Sequence, residues 1–183
     1  ASDVYKRQVL LMRHLLSKTT DKKQRAYLIN HFLDQFKGTV YRQTMFAEFE
    51  LAMGKMAENG EALTADALCR KYHELNKLYF GPDMISDDQI ALEWARIPHF
   101  FYNYYVFQYA TGYSAAIALS RRILKEGESA VKDYIQFLSG GCSKDPISLL
   151  QGAGVDMRTA EPVHRALKLF DSLLDEMEAL MEA

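Results

Sequence analysis

The chain has 183 residues, 49% of them hydrophobic, and a formal net charge of −2. That length and apolar content suit one domain, or a large piece of one, with a real core. Charges of both signs are mixed along the chain, so the basic stripe that a phosphate backbone demands is missing, and no apolar run approaches the roughly 20 residues of a membrane span.

Nucleic acid and membranes are therefore not expected partners. The opening ASDVYKRQ lacks the apolar centre of a signal peptide, and a cytoplasmic location is the expectation. Cys69 and Cys142 are spaced for neither a zinc knuckle nor a disulfide framework and read as buried thiols in a reducing compartment.

Helical periodicity dominates, with no convincing period-2 alternation. A first helix is expected over Val9–Leu16. Thr19, Thr20 and Asp21 then offer N-caps for one long helix reaching about Met56. Its apolar positions Leu28, Phe32, Phe36, Val40, Phe46 and Leu51 recur at three and four, and Gly38 lowers its helicity locally. ENGEALT is a turn, after which Thr64 caps a helix to about Tyr79, and FGPD breaks the chain. A short helix over Asp87–Ala95 ends before Pro98, because the residue preceding proline avoids the α region. The next helix is expected from about Asn103 to Lys125, followed by Ala130–Leu138, which stops at Gly140-Gly141. Asp145-Pro146 reads as N-cap plus first helical residue of a short helix ending near Gly152. Thr159 caps a last amphipathic helix to about Met181. The fold class is all-α, a multi-helix assembly with short loops.

Several motifs tempt and fail. HELNK, at His73–Lys77, resembles the zinc-binding H-E-x-x-H, but Lys77 replaces the second histidine and its ammonium repels a cation. His31 and Asp34 lie three apart, and Glu48 and Glu50 follow, yet a carboxylate-bridged di-metal bundle needs E-x-x-H motifs on two helices, and this chain does not offer two. Surface charge and a buried hydrogen bond or two explain them better. His14 and His164 are given no functional role. ATGYSAA lacks the spacing of a G-x-S-x-G elbow, and the glycines of SGGCS are accounted for as a helix C-cap.

PHFFYNYYVFQYATGYSAA, from Pro98 to Ala116, is different. Between Phe100 and Tyr113 it holds eight aromatic residues, five of them tyrosines. On a continuous helix Tyr102, Tyr105, Tyr109 and Tyr113 share one face, and Gly112, Ala115, Ala116 and Ala118 form a patch for close helix approach. One account is an aromatic-rich core helix. The other starts from the cost of burying several phenols, each of which needs a partner. Facing a wet cleft beside His99, such a row donates hydrogen bonds to peptide carbonyls or to an oxyanion.

The strings RHLLSKTTDKKQRAYLINHFLDQFKGTVYRQTMFAEFE, LTADALCRKYHELNKLYFG, WARIPHFFYNYYVFQYATGYSAAIALS and AGVDM resemble the C-terminal part of the oligoendopeptidase F family, among the thimet-oligopeptidase-like zinc metallopeptidases. The resemblance covers roughly Leu10–Met177. It implies a mostly helical enzyme, zinc-dependent at full length, that cuts short peptides in a deep channel. The family's zinc ligands and general base precede the matching region, so this fragment is expected to bind no metal. Within it, the resemblance places a histidine and tyrosines over the zinc. His99 and Tyr102 are implied in substrate binding, and Tyr105 and Tyr109 in catalysis as donors to the tetrahedral intermediate. Phe107 departs from one alignment, in which a functional tyrosine stands there; either another tyrosine replaces it or that site is weakened. Residues 1–8 do not resemble the family and read as extraneous, with residues 9–183 the C-terminal helical part of a catalytic domain.

Two functions remain open at this point. One is a peptidase fragment, inactive alone, whose partners are short peptides and the missing N-terminal part. Apolar surface uncovered on the first helix and the tyrosine face would then favour self-association. The other is a non-enzymatic helical module that binds a peptide or partner helix through its tyrosine face. The coding sequence upstream of codon 9 separates them: an open frame encoding H-E-x-x-H favours the first, a true start codon the second.

Overall fold

A computed structural model describes residues 2–182. Among the described residues there are eight α-helices and no strand: α1 (Ser2–Lys18), α2 (Lys22–Phe36), α3 (Arg42–Glu58), α4 (Ala65–Phe80), α5 (Phe107–Glu126), α6 (Glu128–Ser139), α7 (Pro146–Gly152) and α8 (Glu161–Glu182). The expected all-α class holds. The chain divides into two compact units, Gly38–Ala110 on one hand and residues 1–37 with 111–183 on the other.

The middle unit is built on α3 and α4. The Thr64 side chain caps α4 by accepting from the Ala67 N–H, and Asp87 caps a 3₁₀ helix at Asp88–Arg96 by accepting from Ile90. Met45, Phe46 and Phe49 of α3 meet Leu68, Tyr72 and Leu75 of α4 in a core closed by Ile97 and Val106. Full burial of each such side chain contributes roughly 1.5–3 kcal/mol. A second, polar attachment fixes the 3₁₀ helix. Glu93 is only 7% exposed. Its carboxylate accepts from the Tyr72 hydroxyl at 2.6 Å, from Arg42 at 2.7 Å and from Arg96. Burial alone would raise the Glu93 pKa, but the Tyr72 hydrogen bond and the two guanidiniums outweigh it and hold the carboxyl below its usual range. The same burial and carboxylate push the Tyr72 phenol far up.

In the other unit, α2 lies along α8, with Phe36 stacked on Phe170 at 4.7 Å and Arg25 paired with Glu176. A smaller core joins Ala115 and Leu119 of α5 to Tyr134 of α6 and to Ala153 and Val155. Arg122 ties these pieces together, donating to the Ala153 carbonyl at 2.6 Å and to Asp133 at 2.7 Å. Gly154 is required here on two counts: its φ is +77°, and a Cβ would collide with the Arg122 guanidinium. The Asp145-Pro146 start of α7 is as expected, with Asp145 accepting from the Ser148 N–H.

Four expectations need correction. The long helix to Met56 is interrupted by a π turn at Lys37–Tyr41 around Gly38. Its i→i+5 pairing advances the register, so α3 buries Met45, Phe46 and Phe49 and leaves Leu51 exposed. Helix α8 begins at Glu161, and the Thr159 hydroxyl donates instead to the Asp156 carbonyl. Cys142 is exposed, and the half-buried Cys69 sulfur accepts from the Trp94 indole at 3.4 Å. Helix α1 starts at Ser2, ahead of Val9, and Ser120 of α5 reaches back to the Lys6 carbonyl.

Candidate functional site

The helix expected from about Asn103 begins later, and the Pro98–Ala116 segment is broken into pieces. Pro98–Phe101 makes one turn of 3₁₀ helix, residues 102–106 form a loop, and α5 starts only at Phe107. Ile97 and Val106, both buried, anchor the two ends of the stretch between them, and Phe100 points inward onto Phe46 and Phe49. With those three holding the segment to the core, the remaining rings are left outside: Tyr102 is 58% exposed and Tyr105 36%.

The four candidate residues nonetheless come together. The His99 ring stacks on Tyr105 at 5.8 Å and meets Tyr102 and Tyr109 edge-on, each at 5.9 Å. Tyr105 contacts Tyr102 at 6.0 Å and Tyr109 at 5.5 Å, and the Tyr109 hydroxyl donates to that of Tyr105 at 3.4 Å. The result is a surface cluster of one imidazole and three phenols, with Tyr109 rooted in the core behind it. Such a set offers several hydrogen-bond donors on rigid rings, suited to carbonyl and oxyanion oxygens.

Tyr113 does not join it. Its ring is 1% exposed, packed between Tyr5 at 5.3 Å and Phe36 at 5.8 Å. Its hydroxyl finds no hydrogen-bond partner among the described residues, and burial, with a smaller contribution from Tyr5, pushes its pKa far up. The helical-face argument fails because the chain does not become helical until Phe107. Phe107 itself is exposed at the first position of α5.

The loop owes its shape to residues that periodicity does not flag. Asn103 and Tyr104 both have left-handed backbones, φ +51° and +58°. Asparagine tolerates this region, but a tyrosine there costs about 1–2 kcal/mol. The Tyr104 N–H donates to Glu50 Oε1 at 2.8 Å, and its phenol lies over Gly54, where a Cβ would overlap the hydroxyl. A glycine four residues after a glutamate inside a helix is the only sequence sign of this arrangement.

The rejected motifs also have structural occupations. His73 Nε2 lies 3.2 Å from the Ser86 carbonyl, and Glu74 pairs with Lys71. Glu48 accepts from the Tyr79 hydroxyl at 2.8 Å. Burial, with help from Glu48, raises Tyr79 to about 12. Among the described residues no three His, Cys, Asp or Glu side chains stand together to hold a metal, so the residues present do not fit a zinc site.

The model of "Peptidase family M3" matches residues 7–169. The chain belongs to peptidase family M3. "Oligopeptidase PepF" of Bacillus subtilis (strain 168) is 56% identical over 174 residues, which is 95% of this chain and 26% of that protein. "Oligoendopeptidase F, chromosomal" of Lactococcus lactis subsp. cremoris is 42% identical over 94% of this chain and 29% of its own length. Among solved structures, the crystal structure of oligoendopeptidase-F from Enterococcus faecium superimposes with a TM-score of 0.91 at 46% identity, covering 94% of this chain and 33% of that one. The M3 chain described here thus spans between a quarter and a third of the length of these relatives.

Proposed function

We propose that this chain is the substrate-binding part of a zinc metallo-oligopeptidase that hydrolyses short peptides, and that it is inactive alone. The observation that carries the reading is the convergence of His99, Tyr102, Tyr105 and Tyr109 into one donor cluster within a chain of peptidase family M3. His99 and Tyr102 hold the backbone of the peptide. Tyr105 and Tyr109 donate to the oxygen that becomes negative when the scissile carbonyl turns tetrahedral, where a well-placed donor is worth about 3–4 kcal/mol. In the free cluster the Tyr109 hydroxyl donates to that of Tyr105, and a bound oxyanion would take over that proton. The zinc that the family reading implies would be held by residues outside this chain. The missing N-terminal part of the same enzyme is the natural partner of the apolar side chains that α1 exposes, such as Leu11, and of Phe101 beside the cluster; in its absence the chain self-associates. Residues 1–8 are proposed to be foreign to the family, although the family match already takes in residues 7 and 8. A cytoplasmic location is part of the proposal; no described helix is long and apolar enough to cross a membrane.

Two measurements test it. Zinc and a quenched oligopeptide added to the purified chain should give no turnover, and metal-dependent hydrolysis above background would sink the claim of inactivity. Titration with an unstructured oligopeptide should shift the His99 and Tyr105 resonances in NMR spectra, and Tyr102→Ala should weaken the response at His99. Unchanged resonances in the unsubstituted chain refute the peptide-binding role.

A further inference from the structure

We propose that Glu50 and Gly54 of α3 are positioning residues that clamp Tyr104 and so hold the His99–tyrosine cluster in its donor geometry. The inference rests on the peptide-binding reading for its purpose but not for its physics.

Three observations converge. A bulky residue at φ +58° is held against its own preference, so something outside the loop must impose the turn. Glu50 supplies the first grip: the residue is 6% exposed, and the Tyr104 N–H is the one hydrogen-bond donor to its carboxylate among the described residues. A charge-assisted bond to a buried carboxylate is short and strong, and a carboxylate left without it would be buried unpaired. Gly54 supplies the second grip. It stands one helical turn beyond Glu50 on the same face of α3, and its missing side chain is the space the Tyr104 hydroxyl fills. Backbone and ring of a single residue are thus gripped by one face of one helix.

The consequence falls on the neighbours of Tyr104. In an extended loop, residues three apart point to opposite sides. The two left-handed residues between Tyr102 and Tyr105 reverse the chain, and both rings meet His99 on one side. Released from Glu50 and Gly54, Asn103 and Tyr104 relax to ordinary backbone angles and the two rings part. The clamp touches no ligand; it acts through the loop.

The test uses the whole chain and the His99 ring protons, whose chemical shifts carry the ring current of the stacked Tyr105. Glu50→Ala and Gly54→Ala should each lose that shift while far-UV circular dichroism stays native. Glu50→Gln, which keeps an acceptor oxygen, should retain most of it. Tyr104→Gly accommodates the positive φ and removes the ring, so Gly54→Ala added to Tyr104→Gly should have no further effect. Unchanged His99 shifts in Glu50→Ala and Gly54→Ala would overturn the proposal, as would an equal effect of Gly54→Ala with and without the Tyr104 ring. Should Glu50→Ala or Gly54→Ala fail to fold, the comparison of Glu50→Gln with wild type and the Tyr104→Gly pair decide it alone. The oligopeptide titration is separate: a wild-type cluster that ignores peptide refutes the peptide-binding reading and leaves the clamp standing.

Discussion

Tyr113 and Tyr105 come from one aromatic run, and the fold treats them in opposite ways. Tyr113 is enclosed by Tyr5, Phe32 and Phe36, with no partner for its hydroxyl among the described residues. Tyr105 stays at the surface, stacked on His99, with its hydroxyl accepting from Tyr109. The first ring is used for its apolar faces and its oxygen is a cost. The second buries little, so its oxygen is the reason for a tyrosine. Stability should follow Tyr113, and ligand binding should follow Tyr105.

Truncation gives the largest contrast. Tyr113→Ala removes a fully enclosed ring and is expected to destabilise by about 3–5 kcal/mol, the range for large-to-small changes in a core. Tyr102→Ala, at a half-exposed position, should stay within about 0.5 kcal/mol. Chemical denaturation of both variants checks this, and comparable losses would break the comparison.

Glu93→Ala comes next, because it asks what supports the surface cluster from below. The substitution leaves the Tyr72 hydroxyl buried and Arg42 without its carboxylate, and should cost about 3 kcal/mol. Since Glu93 sits five residues before Pro98 and fixes the 3₁₀ helix leading into His99, the ring stacking should weaken with it. A stability loss below about 1 kcal/mol would show that the network is replaceable.

Tyr113→Phe sharpens the contrast with a single atom. Deleting a buried hydroxyl that lacks a partner should be neutral or stabilising by about 1 kcal/mol. Tyr105→Phe deletes a hydroxyl that has one, at the surface, and should leave stability unchanged while weakening oligopeptide binding. Binding loss in Tyr113→Phe with none in Tyr105→Phe would reverse the assignment of the two rings.

What the sequence revealed and what it hid divide along the same line. Local chemistry was legible: Thr64 and Asp145 cap the helices expected of them, and the Leu, Phe and Met periodicity marks the helical class. Asn103 and Tyr104 were not, because their left-handed angles are imposed by Glu50 and Gly54, residues some fifty positions away. A helix read through those two residues puts Tyr113 on the same face as Tyr105. The same kind of error hid the π turn, since Gly38 in a helical pattern does not announce an extra residue in the turn. His99, Tyr102, Tyr105 and Tyr109 were singled out because several phenols beside an imidazole look out of place in a core, and the structure brings their rings together.

The smallest effect is also the most specific, and it depends on pH. Burial disfavours the charged Glu93 carboxylate, but the Tyr72 hydroxyl and the Arg42 and Arg96 guanidiniums more than offset this, so its folded pKa lies below the unfolded value near ~4.3. The folded state therefore binds fewer protons there than the unfolded state across the interval between the two values. The stability that ionised Glu93 contributes is complete above the unfolded pKa and is lost as pH falls through the folded one. Glu93→Gln keeps the shape without the charge, so wild type should exceed it most at neutral pH and progressively less below about pH 4. The Tyr113 phenol is held protonated by burial, with Tyr5 adding to the shift, and the rings of Phe32 and Phe36 pack against it. The difference between Tyr113→Phe and wild type should accordingly stay level from neutral to acid pH. Denaturation curves of both variants at several pH values read the two behaviours side by side. A Glu93→Gln difference that is equally level would mean that shape, and not charge, holds the base of the tyrosine loop.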